Sequence, residues 1–158
     1  MSLFDYGDSA VQSDASTDHR ILGSLSEREW TRLLAHVEQL KFMSGDYLIR
    51  AGQIDRSLFI LLSGTVAVTQ EQDGDLVELA RFTEGDVIGE IAFFDGAPRS
   101  ADVRAESDGT AVRISRDKFE YLSAWEPDLA RTLLLDLGSV LAARLRETTQ
   151  ALQVSHGS

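Results

Sequence analysis

Between residues 45 and 115 the sequence alternates short apolar runs with turns that contain glycine. The strongest turn signal is Asp73-Gly74, because both residue types accept the positive φ angles of a tight hairpin. The segment that follows, 76–82, is predicted to be a strand whose successive side chains point to opposite faces. This pattern predicts Leu79 on one face and Ala80 on the other. Many short strands joined by such turns predict an antiparallel, jelly-roll-like β-roll that closes on itself.

Helical signals precede this region. Ser26, followed three residues later by Glu29, has the form of a capping box, which marks the start of a helix. Apolar residues then recur at helical spacing from Trp30 to Leu40. The pattern predicts an N-terminal helix with one core-facing side, and strands only from Lys41 onward.

Helices also follow the glycine-rich region. Ser115 has the chemistry of a helix N-cap, and Pro127 fits the first turn of a helix, where a missing N–H does no harm. Segment 127–154 is predicted to be one long helix. The predicted fold class is therefore α+β: an antiparallel β-roll flanked by an N-terminal helix and a long C-terminal helix.

The long helix carries more apolar surface than one barrel needs. Its residues fall on interleaved seven-residue spacings that are typical of helix pairing, namely Leu134, Gly138, Leu141, Leu145, Thr148 and Leu152. We expect part of this surface to pack against the β-roll and part to form a symmetric homodimer.

Length and charge restrict the function. The 158 residues suit one domain, which we divide into a polar, disordered leader at 1–18, the β-roll with its first helix at 19–126, and the long helix at 127–154. A net charge of −11 disfavours nucleic acid and anionic membranes as partners. Since the chain lacks a bilayer-spanning apolar run and a signal-peptide pattern, we expect a cytoplasmic protein.

The stretch Gly85–Val103 carries the clearest chemical signal. Within it, the apolar block Glu90–Phe94 suffices for about one helical turn, and Asp95-Gly96 is a stop signal. Amides at the start of such a turn have no partner within the helix and can receive an anion. Gly89, directly before the turn, lets the backbone approach a ligand closely.

An acid and a base accompany this turn. Pro98 stiffens the return of the chain and delivers Arg99, whose planar guanidinium suits phosphate. Glu90 lies nine positions earlier; its carboxylate would repel phosphate but accept a hydrogen bond from a hydroxyl. Together, Arg99 and Glu90 indicate a ligand with one negative charge and an adjacent hydroxyl group. The alternative is a partly buried ion pair between Glu90 and Arg99 that only ties a loop to the sheet.

These residues resemble the phosphate-binding cassette of the cyclic nucleotide-binding domain family, without insertion or deletion, in the runs Gly89-Glu90-Ile91-Ala92, Gly96 and Pro98-Arg99-Ser100-Ala101. The resemblance implies that Glu90 binds the ribose 2′-hydroxyl and that Arg99 binds the cyclic phosphate. It also implies that the backbone amides of Ile91 and Ala92, together with Ser100, complete the phosphate cradle.

The resemblance further implies an apolar nucleotide pocket, lined by Val68, Leu79, Phe82 and Ile88. The same four residues can also be read as plain core. Over the pocket the long helix would cover the base, with Arg144 and Thr148 as candidates to contact it.

The implied ligand is cyclic AMP or cyclic GMP. Ser100 resembles family members that prefer cyclic AMP, and a hydroxyl at this position also occurs in cyclic GMP binders; we expect cyclic AMP. The implied function is a cyclic nucleotide sensor that signals through movement of the long helix. The alternative is a ligand-free module of the same fold that serves protein interaction and dimerisation.

Other classes of function fit the sequence poorly. A barrel metalloenzyme needs His and carboxylate ligands on its strands, whereas His19, His36 and His156 lie outside the predicted strands. No cysteine or Gly-x-Ser-x-Gly turn supplies a nucleophile, so we expect neither an enzyme nor a metal. No pair of basic helices follows the long helix before Ser158, so we expect a sensor without a DNA-binding domain, either free-standing or cut from a longer protein.

Overall fold

The computed structural model describes Gly23 and residues 25–156, with side chains described through residue 151. The predicted leader, 1–18, lies outside the described residues, as does His19. In chain order the elements are α1 (Glu27–Leu34), β1 (Glu38–Phe42), β2 (Tyr47–Ile49), β3 (Ser57–Ser63), β4 (Val66–Gln72), β5 (Asp75–Phe82), β6 (Val87–Ile88), α2 (Glu90–Asp95), β7 (Asp102–Ala105), β8 (Gly109–Ser115), α3 (Arg116–Trp125) and α4 (Pro127–His156).

The strands form two four-stranded sheets with the orders β1-β8-β3-β6 and β2-β7-β4-β5. Every strand pair in them is antiparallel. The hairpin between β4 and β5 turns at Asp73 and Gly74, whose φ angles are +53° and +84°, as the Asp-Gly signal predicts. The α+β fold, a β-roll flanked by a first helix and a long last helix, is confirmed.

The N-terminal helix is shorter than its apolar spacing predicts. Ser26 and Glu29 do form the capping box, but α1 ends at Leu34, and Leu40 belongs to β1. The prediction that strands begin only at Lys41 is wrong, because residues 38–42 pair in register with β8. The apolar residues at helical spacing continue only about one turn beyond the end of α1. Pairing of residues 38–42 with β8 overrides this weak preference for a helix.

The alternation predicted for β5 is also interrupted. The register between β4 and β5 shifts after Val68, which pairs with Ala80, while the next residue pairs with Glu78. Leu79 and Ala80 are consequently both buried, at 8% and 6% exposure. A β-bulge of this kind lets two consecutive side chains point to the same side of a sheet.

Two apolar clusters form the core, and β3 contributes to both. Leu58 and Ile60 pack towards the helices, whereas Phe59 and Leu61 pack inside the roll. Burial on both faces explains why β3 is a continuous apolar run. The helical cluster draws the inner face of α4 onto the roll through Leu129, Ala130, Leu133, Leu137 and Val140.

The outer face of α4 retains apolar surface. Leu134 is 41% exposed and Leu135 is 61% exposed. A Cβ placed on Gly138 would meet no atom within 4 Å, so the backbone of α4 is open to close approach there. Among the described residues, no helix combines the length and the apolar character needed to cross a membrane.

Candidate ligand site

The stretch that the sequence singled out forms a single helical turn between two left-handed glycines. Strand β6 ends at Ile88, Gly89 adopts φ +79° as the N-cap of α2, and Gly96 adopts φ +70° as its C-cap. Such φ angles suit glycine because a Cβ would strain the backbone. The start and stop signals in the sequence therefore correspond to the observed ends of α2.

Gly89 has a second role that its sequence context did not reveal. A Cβ on this residue would lie 2.8 Å from Nη1 of Arg99 and 3.0 Å from the carbonyl oxygen of Ser57. Real Cβ atoms do not approach other atoms so closely. The missing side chain thus makes room for the guanidinium of Arg99.

Arg99 points into the protein, with its side chain only 4% exposed. Its Nη1 donates to the carbonyl oxygen of Gly89 at 2.8 Å, and its Nη2 donates to the carbonyl oxygen of Ser57. The guanidinium is therefore fixed beside the first residues of α2. A buried, oriented guanidinium in this position is suited to an anion, because little conformational freedom is left to lose on binding.

Asp55 sets the charge balance behind Arg99. Its Oδ2 lies 3.6 Å from Nη2 of Arg99, and its Oδ1 lies 3.6 Å from a nitrogen of Arg113 and accepts from the backbone N–H of Ser57 at 3.1 Å. The carboxylate thus links Arg99 to the loop before β3. Sequence reasoning missed Asp55, because an aspartate 44 positions before Arg99 gives no sign that the two side chains will meet.

Glu90 is fully buried and is covered by the long helix. Its Oε1 accepts a hydrogen bond from Nη1 of Arg144 at 2.5 Å, and Nη2 of Arg144 donates to the carbonyl oxygen of Val87 at 2.7 Å. The same guanidinium lies 4.8 Å from the centre of the Phe82 ring, within the range of a cation–π contact. Arg144 therefore joins α4, the carboxylate of the cassette and the apolar wall beside it.

The remaining predicted residues lie around this centre. Ile91 and Ala92 form the first turn of α2, and Ser100 is exposed with its carbonyl oxygen bound by Gln70 at 3.0 Å. Thr148 donates to the carbonyl oxygen of Arg144, one turn earlier on α4, at 3.0 Å. The predicted pocket residues belong to the cluster inside the roll, where Val68, Leu79 and Ile88 are buried and Phe82 is partly buried.

The arrangement brings three kinds of recognition group together. A buried guanidinium and the start of a helix provide donors for an anion, a carboxylate provides an acceptor for a hydroxyl, and the partly buried ring of Phe82 provides apolar surface. Each of the two charged side chains also has a partner outside the cassette: Asp55 lies beside Arg99, and Arg144 binds Glu90.

Comparison with known proteins gives the same family as the sequence motif. Residues 39–124 match the sequence model of the cyclic nucleotide-binding domain. The cAMP-activated global transcriptional regulator CRP of Pasteurella multocida is 36% identical over 130 residues, which cover 81% of this chain and 58% of the regulator. The chain thus spans little more than half of that relative's length.

Solved structures agree as well. A cyclic nucleotide-binding domain from Methylobacillus flagellatus is 27% identical with a TM-score of 0.75, over 86% of this chain and 77% of that one. The regulatory subunit of a cAMP-independent protein kinase A from Trypanosoma brucei is 26% identical with a TM-score of 0.62, over 82% of this chain and 45% of that one. The family match covers more than half of the sequence, so this chain belongs to the cyclic nucleotide-binding domain family.

Proposed function

We propose that this chain is a cytoplasmic, non-enzymatic sensor module that binds cyclic AMP and signals through the long helix α4. One observation carries the proposal: the buried guanidinium of Arg99 and the buried carboxylate of Glu90 stand at the first turn of α2. Membership of the family alone would not carry it, because one structural neighbour is described as cAMP-independent. Here both side chains that suit the phosphate and the ribose are present and oriented.

In this proposal the phosphate lies against Arg99, the amides of Ile91 and Ala92, and the hydroxyl of Ser100. Charge-assisted hydrogen bonds from a fixed guanidinium are about twice as strong as neutral ones, so Arg99 makes the largest contribution. Gly89, which lacks a Cβ, leaves space for both partners. No metal takes part in this scheme.

The ribose 2′-hydroxyl donates to Glu90. An ionised carboxylate offers about four lone-pair sites, so Glu90 can hold Arg144 and a hydroxyl at the same time. The base then lies on the apolar surface of Val68, Leu79, Phe82 and Ile88, under α4. Cyclic AMP is favoured over cyclic GMP because of Ser100 and because the relative at 36% identity is described as cAMP-activated.

Signalling follows from the position of Arg144. Its guanidinium touches both the carboxylate that takes the ribose and the ring that lines the pocket. A ligand bound there changes the contacts of Arg144 and so favours one position of α4 over another. The shift can be only as large as the difference in ligand affinity between the two positions.

We also propose that α4 pairs with a second copy of the chain. Leu134 and Leu135 are exposed on its outer face, and Gly138 permits close helix approach. A symmetric dimer would bury this surface and pass a movement of α4 from one protomer to the other.

Thermal melting with and without nucleotide tests the ligand assignment. A ligand at a hundredfold excess over its Kd stabilises the folded chain by about 2.7 kcal/mol, which is a clear rise in melting temperature. We expect cyclic AMP to raise it more than cyclic GMP at equal concentration. No rise with either nucleotide would favour the ligand-free dimerisation module instead.

A further inference from the structure

The C-terminal end of α2, opposite the proposed ligand site, is held by two arginines. Nη2 of Arg56 donates to the carbonyl oxygens of Phe93 and Phe94 at 3.1 and 2.5 Å. Nη1 of Arg116 donates to the same carbonyl oxygen of Phe93 at 3.4 Å. We call Arg56 and Arg116 the carbonyl clamp.

The clamp is built into the surrounding backbone. A Cβ on Gly96 would lie 3.3 Å from Cζ and Nε of Arg56, so this glycine leaves room for the guanidinium beside the end of α2. The backbone N–H of Arg116 donates to the carbonyl oxygen of Arg56 at 3.1 Å, which ties the two residues together. Arg56 Nε is buried and has no hydrogen-bond partner among the described residues, so the guanidinium is held through its two contacts with carbonyl oxygens.

A helix as short as α2 needs such contacts. Its six residues are far below the length at which an isolated helix is stable, so its geometry depends on groups outside it. The last carbonyls of a helix carry partial negative charge and lack partners within the helix. Cations that bind them stabilise the turn and fix its axis.

Side-chain packing at the C-terminal end of α2 also fixes the position of this helix. The ring of Phe93 is fully buried, lies under the guanidinium of Arg116 at 5.5 Å, and meets the ring of Phe119 edge-on at 5.5 Å. Arg116 is the first residue of α3, which leads into α4. The clamp therefore joins α2, the loop before β3 and the helical segment that carries the proposed signal.

We infer that Arg56, acting with Arg116, is a positioning residue for ligand binding: it holds the C-terminal end of α2 so that the amides of Ile91 and Ala92 stand ready for the phosphate. This inference rests on the proposed function. Arg56 itself does not touch the ligand, so its effect passes through the orientation of α2.

The test compares Arg56→Met with the wild-type chain by two readouts, calorimetric titration with cyclic AMP and hydrogen exchange of the α2 amides. We expect affinity to fall about tenfold to a hundredfold, as for the loss of hydrogen bonds from a charged donor. Exchange of the α2 amides should quicken while the amides of β3 stay protected. Arg28→Met, which removes the same charge from an exposed position on α1, should change neither readout.

Arg56→Lys should recover part of the affinity, because an ammonium can still bind one of the two carbonyls. It also replaces Arg56→Met if that variant does not fold. Wild-type affinity in Arg56→Met would overturn the inference, and so would equal loss of protection in α2 and β3, which would mean that Arg56 supports the whole fold. If the wild-type chain binds no cyclic nucleotide, the proposed function fails, and hydrogen exchange alone still decides whether Arg56 positions α2.

Discussion

Replacing Arg99 tests the phosphate assignment, and the structure shows why the choice of substitution matters. The guanidinium has two buried carbonyl partners, from Gly89 and Ser57, and lies 3.6 Å from Asp55. In Arg99→Ala both carbonyls lose a charged donor, although the carbonyl oxygen of Gly89 still accepts from the backbone N–H of Phe93 at 3.3 Å. Each lost hydrogen bond costs about 1–3 kcal/mol. That variant should therefore lose roughly 2–6 kcal/mol of folding stability before any ligand is added.

Ligand binding should fall as well. Removing one member of a desolvated charge pair weakens binding by about 2–5 kcal/mol. Since about 2 kcal/mol corresponds to about thirtyfold in Kd, Arg99→Ala should bind cyclic AMP at least about thirtyfold more weakly. Because the expected loss of folding stability overlaps the expected loss of binding free energy, Arg99→Ala alone cannot separate a binding residue from a structural one.

Arg99→Lys separates the two roles. Lysine keeps the charge and can satisfy one carbonyl, so folding stability should fall by only about 1 kcal/mol. It cannot reproduce the planar fork, so we expect cyclic AMP affinity to fall at least about tenfold. The assay is calorimetric titration beside denaturant unfolding of the free protein, with Arg81→Lys, an exposed arginine paired with Glu78, as the matched control. If Arg99→Lys binds like the parent, Arg99 does not hold the phosphate.

Four further results are expected. Glu90→Gln should weaken binding of cyclic AMP about tenfold more than binding of its 2′-deoxy analogue, because only the ribose form loses a hydrogen bond to the carboxylate; equal losses in titration calorimetry would refute the hydroxyl assignment. Gly89→Ala forces a Cβ to within 2.8 Å of a guanidinium nitrogen at φ +79°, so denaturant unfolding should show a loss of at least about 1–3 kcal/mol, and an unchanged midpoint would contradict the close packing. The hydrogen bond and charge of Arg32 hold the pKa of Glu126 below its ordinary 4.5, so this stabilisation is present above that pH and is lost as pH falls through the lowered value. Glu126→Gln should therefore lower the melting temperature at neutral pH, and the difference from wild type should shrink below about pH 4.5; a constant difference would argue against the pair. Leu134→Glu should shift the chain towards monomer in sedimentation equilibrium, and a wild-type chain that is already monomeric would remove the proposed dimer.

Local chemistry accounts for the parts of the fold that sequence reasoning predicted well. The capping box at Ser26, the N-cap at Ser115 and the Asp73-Gly74 turn each depend on residues within four positions of one another. The two glycines around α2 belong to the same class, because positive φ is a property of the residue itself. Such signals can be read without knowing what lies across the core.

Contacts between distant residues account for what sequence reasoning missed. Residues 38–42 form a strand because β8 lies beside them, and nothing in their own spacing announces that partner. Arg144 and Glu90 meet across 54 positions, and Arg56 reaches Phe93 across 37. The resemblance made Arg144 a candidate to contact the base, but its contact with Glu90, like that of Arg56 with Phe93, can be seen only once the fold brings the partners together.

A crystal structure of the chain with cyclic AMP is the most direct test of the central proposal. We predict the cyclic phosphate within about 2.7–2.9 Å of the Arg99 guanidinium, at the first turn of α2, and the ribose 2′-hydroxyl hydrogen-bonded to Glu90. A nucleotide bound elsewhere, or a phosphate that does not touch Arg99, would contradict the account.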